Sequence, residues 1–220
     1  MNRRRALMAV SSGSAPSLTL ADLDVGTAVK VGNDRYILCI KWTATASMLR
    51  EDVLPTSMKM QNSSSVAADY DGSIVDDYLT NTYVPSLPSS VTKYMSTGNF
   101  TINVADVGAA STTTKTIQRK IIVPQYSMMA DTGSLTTVLK AYYETTNANT
   151  ARIAKSNGTA VEYWLCDAWT NGTQRNMHTV MNTGGRYRRG QDNSYYVRPY
   201  IYMQMATPVK IVNDEYVLGD

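Results

Sequence analysis

The sequence predicts an α+β fold built on a mixed or antiparallel sheet, and three observations predict it. A near-repeat stands just inside each end, "VKVGNDRYIL" at 29–38 and "VKIVNDEYVL" at 209–218, identical at six of ten positions. Helical periodicity is confined to the middle of the chain. After Gly158 the text becomes strand-like and Gly-punctuated almost to the end.

Each repeated phrase reads as a β-hairpin. Val29 and Val31 alternate with polar neighbours, Asn33-Asp34 suits a tight turn, and Tyr36-Ile37-Leu38 begins the return strand. The second copy places Asn213-Asp214 at its turn, and Asn and Asp tolerate the left-handed backbone such turns need. In the middle, Ser73 with Asp76 three residues on forms a capping-box pattern. Ile74/Tyr78 and Val75/Leu79 then share helical faces. A second short helix is expected over 89–95 and a strand over 120–126. A third helix carries the apolar stripe Leu135, Val138, Leu139, Tyr142, which is expected to face the core. The run "VEYWLCDAW" (161–169) reads as a strand. In "YYVRPYIYMQM" the odd positions Tyr195, Val197, Ile201, Met203 and Met205 are expected inside. Tyr196, Arg198, Tyr200, Tyr202 and Gln204 line the other face, and Pro199 marks an edge or bulge.

With 220 residues and 43% apolar content, one domain with a sizeable core is expected. Residues 1–17 read as a basic flexible arm and 18–220 as a single domain. The apolar run Ala6 to Val10 is too short for a secretory h-region, and no stretch reaches the length of a membrane span, so no membrane insertion is expected. The net charge of +3 equals the contribution of Arg3, Arg4 and Arg5, which leaves a neutral body. A neutral body argues against a general nucleic-acid binder.

Fifteen Tyr stand against a single Phe. Tyr suits surfaces where one end of the ring is dry and the other wet, and it equally suits a Tyr-rich β-protein. Cys39 and Cys166 lie in apolar runs and are expected to be small buried thiols. One His and no clustered Cys/His pattern predict no metal site and no cofactor. His178 has no nucleophile motif beside it, and "NTGGRYRRG" (182–190) sits among strands rather than before a helix, so the chain is expected not to be an enzyme.

Binding chemistry instead concentrates in 167–195, expected as loops. The candidate ligand-binding residues are Trp169, Asn171, Gln174, Arg175, Asn176, Tyr187, Arg189, Asn193 and Tyr195; His178, Arg186, Arg188 and Asp192 lie among them. Ring faces stack on sugars or anchor protein partners, and amides and guanidinium groups add directional hydrogen bonds. The alternative is a solvated loop set with Trp169 tucked into the core.

"EYWLCDAW" (162–169) followed by "YYVRPYI" (195–201) resembles the YWLRS…GVRPA signature of an uncharacterised domain family found in bacterial surface and phage proteins. "LADLDVGTAVKVGNDRYILCI" (20–40), "YDGSIVDDYLTNTYV" (70–84) and "RKIIVPQYS" (119–127) are similar to further family segments, in order. Cys166 and Asp167 stand where the family has Arg and Ser, and Tyr196 and Tyr200 replace Gly and Ala. The closing signature is in turn similar to that of C-type-lectin-like folds, including the formylglycine-generating-enzyme group. The resemblance implies a C-type-lectin-like domain with two or three short helices and adjacent terminal hairpins, with Arg35 and Glu215 as charge complements between them. The Glu-Pro-Asn or Gln-Pro-Asp triplet of calcium-using lectins is absent, so glycan binding is expected to be metal-free.

Taken with the basic arm, the resemblance implies a phage virion-surface binding or decoration module. Arg3, Arg4 and Arg5 would dock on other virion proteins, and the 167–195 face would meet a host-surface glycan or protein. A homo-oligomer, a trimer by analogy with other virion appendages, is expected, with assembly in the host cytoplasm. The alternative is a purely structural capsid or tail component with no host ligand.

Overall fold

The computed structural model describes residues 18–219. The proposed arm, with Arg3, Arg4 and Arg5, lies outside the described residues.

The first phrase forms β1 (Ala28–Val31) and β2 (Asp34–Lys41), followed by β3 (Thr45–Arg50) and the short β4 (Met58–Lys59). Ser73 then caps α1 (Ile74–Tyr78) by accepting a hydrogen bond from the Asp76 N–H at 3.1 Å, a contact that contributes about 1 kcal/mol. The expected reciprocal half of the box is missing. The Asp76 carboxylate turns instead to the Gly72 N–H and the Arg119 guanidinium. Val75 and Leu79 are fully buried, and the helix continues through a wider π turn, Leu79–Tyr83, into α2 (Val84–Ser86). The second expected helix is the short α3 (Ser89–Thr92).

A hairpin of β5 (Gly98–Val104) and β6 (Thr113–Arg119) follows, then β7 (Ile121–Ile122), much shorter than the strand expected over 120–126. Pro124 cannot donate to a ladder, and Tyr126 N–H is taken by the Asp167 side chain, so pairing stops early. In α4 (Ser134–Tyr142) Leu135 and Leu139 are fully buried, and Val138 and Tyr142 pack against the same core. Each buried leucine contributes about 2 kcal/mol. After α5 (Ala148–Arg152) and the small hairpin β8 (Ala154–Ser156) and β9 (Thr159–Val161), the β-rich half begins. It comprises β10 (Tyr163–Thr170), β11 (Arg175–Val180), β12 (Arg186–Gly190), β13 (Ser194–Tyr195), β14 (Tyr200–Gln204), β15 (Val209–Val212) and β16 (Glu215–Leu218).

The architecture is therefore mixed α+β, mostly sheet with few short helices. One seven-stranded sheet has the order β15-β16-β1-β2-β3-β14-β7, and a separate three-stranded sheet has the order β10-β11-β12. The two repeated phrases do meet: β1 runs parallel to β16, pairing Val29 with Tyr216 and Lys30 with Val217. No helix is long and apolar enough to cross a membrane among the described residues.

Several expectations need correction. The first phrase turns on Gly32-Asn33, not Asn33-Asp34, because Val31 pairs with Asp34 and Gly32 takes a φ of +63°. Arg35 and Glu215 are not partners. Glu215 pairs with Lys30 on the adjacent strand, and Arg35 with Glu51 at 3.3 Å. Arg198 and Tyr200 are fully buried rather than lining an outer face, since Pro199 separates β13 from β14 and the alternation does not carry through it. The tyrosines serve the core and its margin: Tyr36, Tyr70, Tyr163 and Tyr200 are fully buried, and others such as Tyr78, Tyr142 and Tyr202 pack against the core while partly exposed. Some of these phenols bond inside the protein, as in the chain Tyr36–Tyr83–Asp34–Arg50 with links of 2.7, 2.6 and 2.6 Å. Cys39 and Cys166 are free and buried, as expected.

Candidate ligand-binding site

Residues 167–195 are largely strands rather than loops. β11 pairs antiparallel with β10 and β12, and the site is the exposed part of this sheet. The register slips within β10 between Trp164 and Ala168, a bulge that re-aims the side chains between them. Asp167, where the resembled family has Ser, uses its buried carboxylate to accept the Asn103 N–H at 2.9 Å and the Tyr126 N–H at 2.6 Å. Burial pushes its pKa up, against the pull of those two hydrogen bonds. Asp167 thus anchors Tyr126, whose ring packs on His178 with centroids 4.0 Å apart.

On β12 alternate residues face opposite ways. Arg186 stacks over Tyr126 at 4.4 Å and Arg188 over Trp169 at 3.8 Å. On the opposite side Arg189 lies over Tyr187 at 4.7 Å and grips Glu162 with two bonds of 2.8 and 3.0 Å. Among the described residues neither Arg186 nor Arg188 makes a contact ion pair or a side-chain hydrogen bond, although the Arg186 charge reaches the Asp131 carboxylate, itself bonded to Arg152. Burial, reinforced by the charges of Arg188 and Arg186, pushes His178 down to about 4, although a hydrogen bond with the Tyr187 backbone works the other way. The imidazole is therefore neutral at pH 7, and its Nδ1 is buried without a hydrogen-bond partner.

Two hollows open on this sheet. The larger, about 750 Å³, is lined by Gln174, Arg175, Asn176, Arg189, Asn193 and Tyr195 from the candidate set, together with Ser64, Ser65, Thr173, Arg188 and Gly190. The smaller, about 340 Å³, is lined by Trp169 and Tyr187 with Tyr126, His178, Arg186 and Arg188. Arg188 belongs to both. Asn171 reaches neither hollow. Its Oδ1 accepts from the Thr173 N–H and hydroxyl and from the Gln174 N–H, which makes it a turn former. Trp169 is half-buried under Arg188 rather than tucked into the core.

Sequence reasoning missed Ser64, Ser65 and Tyr126, which come from distant segments. The wall carrying the two serines is held by Arg175, which donates to the Val66 and Ser64 carbonyls, and by the Gln191 side chain, which donates to those of Ser63 and Val66. Such contacts leave no local signal. The glycine-rich stretch 182–190 has a packing explanation. Gly184 takes a φ of +79°, and a Cβ there would lie 1.7 Å from the Asn149 carbonyl oxygen.

A third hollow of about 730 Å³ lies between α1 and the end of β6. Its best-placed charges are already matched, since Arg119 is bonded to both Asp71 and Asp76. The arginine of the "VRP" text is likewise structural. Arg198 is buried and donates to the carbonyls of Arg50 at 2.9 Å and Glu51 at 2.7 Å and to the Tyr163 hydroxyl at 3.2 Å. The two thiols offer no nucleophile: burial pushes Cys39 up to about 12 and Cys166 well above its ordinary value.

Residues 44–205 match the family described as a domain of unknown function, DUF6273. The matched segment contains both the three-stranded sheet and the buried Arg198, and it leaves out both copies of the repeated phrase. No curated protein and no solved structure matches the chain. The expectation of an uncharacterised domain family stands at that level: the chain belongs to the DUF6273 family.

Proposed function

We propose that this chain is a non-enzymatic binding module that meets a cell-surface ligand through the β10-β11-β12 sheet. The observation that carries this reading is the pair of adjoining hollows joined by Arg188. Their walls combine ring faces, amides, hydroxyls and guanidinium groups, the chemistry of recognition rather than bond cleavage. The buried, protonated thiols and the neutral His178 support a non-catalytic role. A C-type-lectin-like fold is the finer reading, supported by the adjacency of the terminal hairpins and the β-rich C-terminal half. Display on a phage virion, docked through Arg3, Arg4 and Arg5 and assembled as a homo-oligomer, rests on family resemblance and is an analogy. A purely structural virion role is the second reading. The observation favouring it is the edge strand β15, where Ile211 and Val212 are 48% and 47% exposed and would be covered by a neighbouring subunit.

The test is binding of the purified chain to a panel of intact bacterial cells beside a Trp169→Ala/Tyr187→Ala variant whose folding is checked by thermal melting. Binding by the wild type, weakened at least about tenfold in the folded variant, supports the receptor face. Adherence to particles lacking the protein, with binding to no cell, favours the structural reading instead.

A further inference from the structure

We infer that the ligand of this face is an anionic polysaccharide and that Arg186 and Arg188 read its acidic groups. The inference rests on the binding reading above and adds the ligand's charge and class.

Beyond residue 17 the chain is electrically balanced, yet the walls of both hollows carry arginines and no carboxylate. Arginines elsewhere in the fold are engaged: Arg50 with Asp34, Arg119 with Asp71 and Asp76, Arg152 with Asp131. On this face Arg189 holds Glu162 and Arg175 holds two carbonyls. Arg186 and Arg188 are the exceptions among the described residues: each rests on an aromatic ring, and neither makes a side-chain hydrogen bond or a contact ion pair, although Arg186 lies within electrostatic reach of Asp131. A guanidinium stacked on a ring keeps its in-plane N–H donors free, and a carboxylate or sulfate accepts two of them side by side. The two residues share one face of β12, two positions apart and about 7 Å along the strand. That spacing suits acidic groups repeated along a polymer.

The remaining wall favours sugar over nucleic acid. The larger hollow offers Gln174, Asn176 and Asn193, side chains that both give and accept hydrogen bonds, as hydroxyl-rich rings require. Nucleobases need open aromatic platforms. Here Arg188 covers a face of the Trp169 ring, Arg186 and His178 cover Tyr126, and Arg189 lies over Tyr187, the one exposed ring lining the hollows.

The test measures binding of the full chain to polygalacturonate, dextran sulfate, neutral dextran and a single-stranded oligothymidylate. Binding to one or both acidic glycans at least about tenfold tighter than to dextran, weakening as salt is raised, is expected. Which of the two binds tells carboxylate from sulfate. An Arg186→Gln/Arg188→Gln variant with unchanged melting should lose about tenfold or more on the acidic glycan. The Arg186→Lys/Arg188→Lys variant should recover only part, since it restores charge without the fork. Equal binding to dextran by wild type and double variant overturns the charge inference and leaves the binding reading intact. Oligothymidylate bound as tightly as the acidic glycans overturns the sugar assignment. Binding to none of the four polymers overturns the inference, and the cell-binding experiment then decides separately whether the face binds at all.

Discussion

Two sets of arginines in this molecule face opposite situations. Arg198, with Arg152 beside it, is buried, and its donors are used on backbone carbonyls and the Tyr163 hydroxyl, tying the end of β3 to α5 and β10. Arg186 and Arg188 lie at the surface on aromatic rings with their donors unused. In the sequence nothing separates the two sets by charge, since all four are simply cations. The difference teaches that a residue's function here is read from what its donors lack. The inner pair has its donors filled within the protein, and the outer pair leaves them open, which is what the proposed binding role uses.

The comparison can be broken most directly from the inside. Arg198→Met strips the Arg50 and Glu51 carbonyls and the Tyr163 hydroxyl of a buried donor, and it should cost about 3 kcal/mol or more in urea unfolding. A loss under about 1 kcal/mol would show that Arg198 is not the tie described.

A second experiment sharpens the outer set through the single imidazole. His178 should titrate by NMR with a midpoint near 4, below the ordinary value of 6.5. The unfolded chain then takes up a proton that the folded chain refuses between those values. The resulting stability is full above about 6.5 and is lost as pH falls toward 4, at most about 3 kcal/mol, a loss that His178→Gln should not show. Because Arg188 is one cause of the depression, Arg188→Gln should move the midpoint upward. An unmoved midpoint would mean that Arg188 does not face the imidazole as described.

The smallest effect is the stability change of Arg188→Gln itself, under about 0.5 kcal/mol by thermal melting, because an exposed stacked cation contributes little to folding. A large loss would make Arg188 structural, like Arg198.

Much of the framework is legible in the sequence, and the site only partly. The α4 stripe and the β10 run are visible because their apolar periods are strong and local. β12, "RYRRG", has no apolar side, and its strand character comes from pairing with β11, so hydrophobic alternation cannot reveal it. Arg198 misleads the alternation rule because its donors meet carbonyls well over a hundred residues away in sequence, and burial then costs little. Most of the candidate residues do come together around two hollows of one sheet, whereas Tyr126 joins them from a distant segment, its backbone N–H held by Asp167.

The repeated phrase divides what sequence determines from what only the tertiary structure decides. Local chemistry is enough to make both copies hairpins and even to set their turns. Gly32 accepts a positive φ at the first turn position, which draws the first turn one residue earlier, whereas Val212 leaves Asn213 and Asp214 to take φ of 50° and 63°. Nothing in the phrase says which copy will be interior. β1 lies between β16 and β2, with Val29 and Val31 buried, while β15 is the sheet edge and exposes Ile211 and Val212. Turn geometry depends on a few neighbouring dihedrals. Burial depends on which other strands arrive alongside, and those come from the far end of the chain.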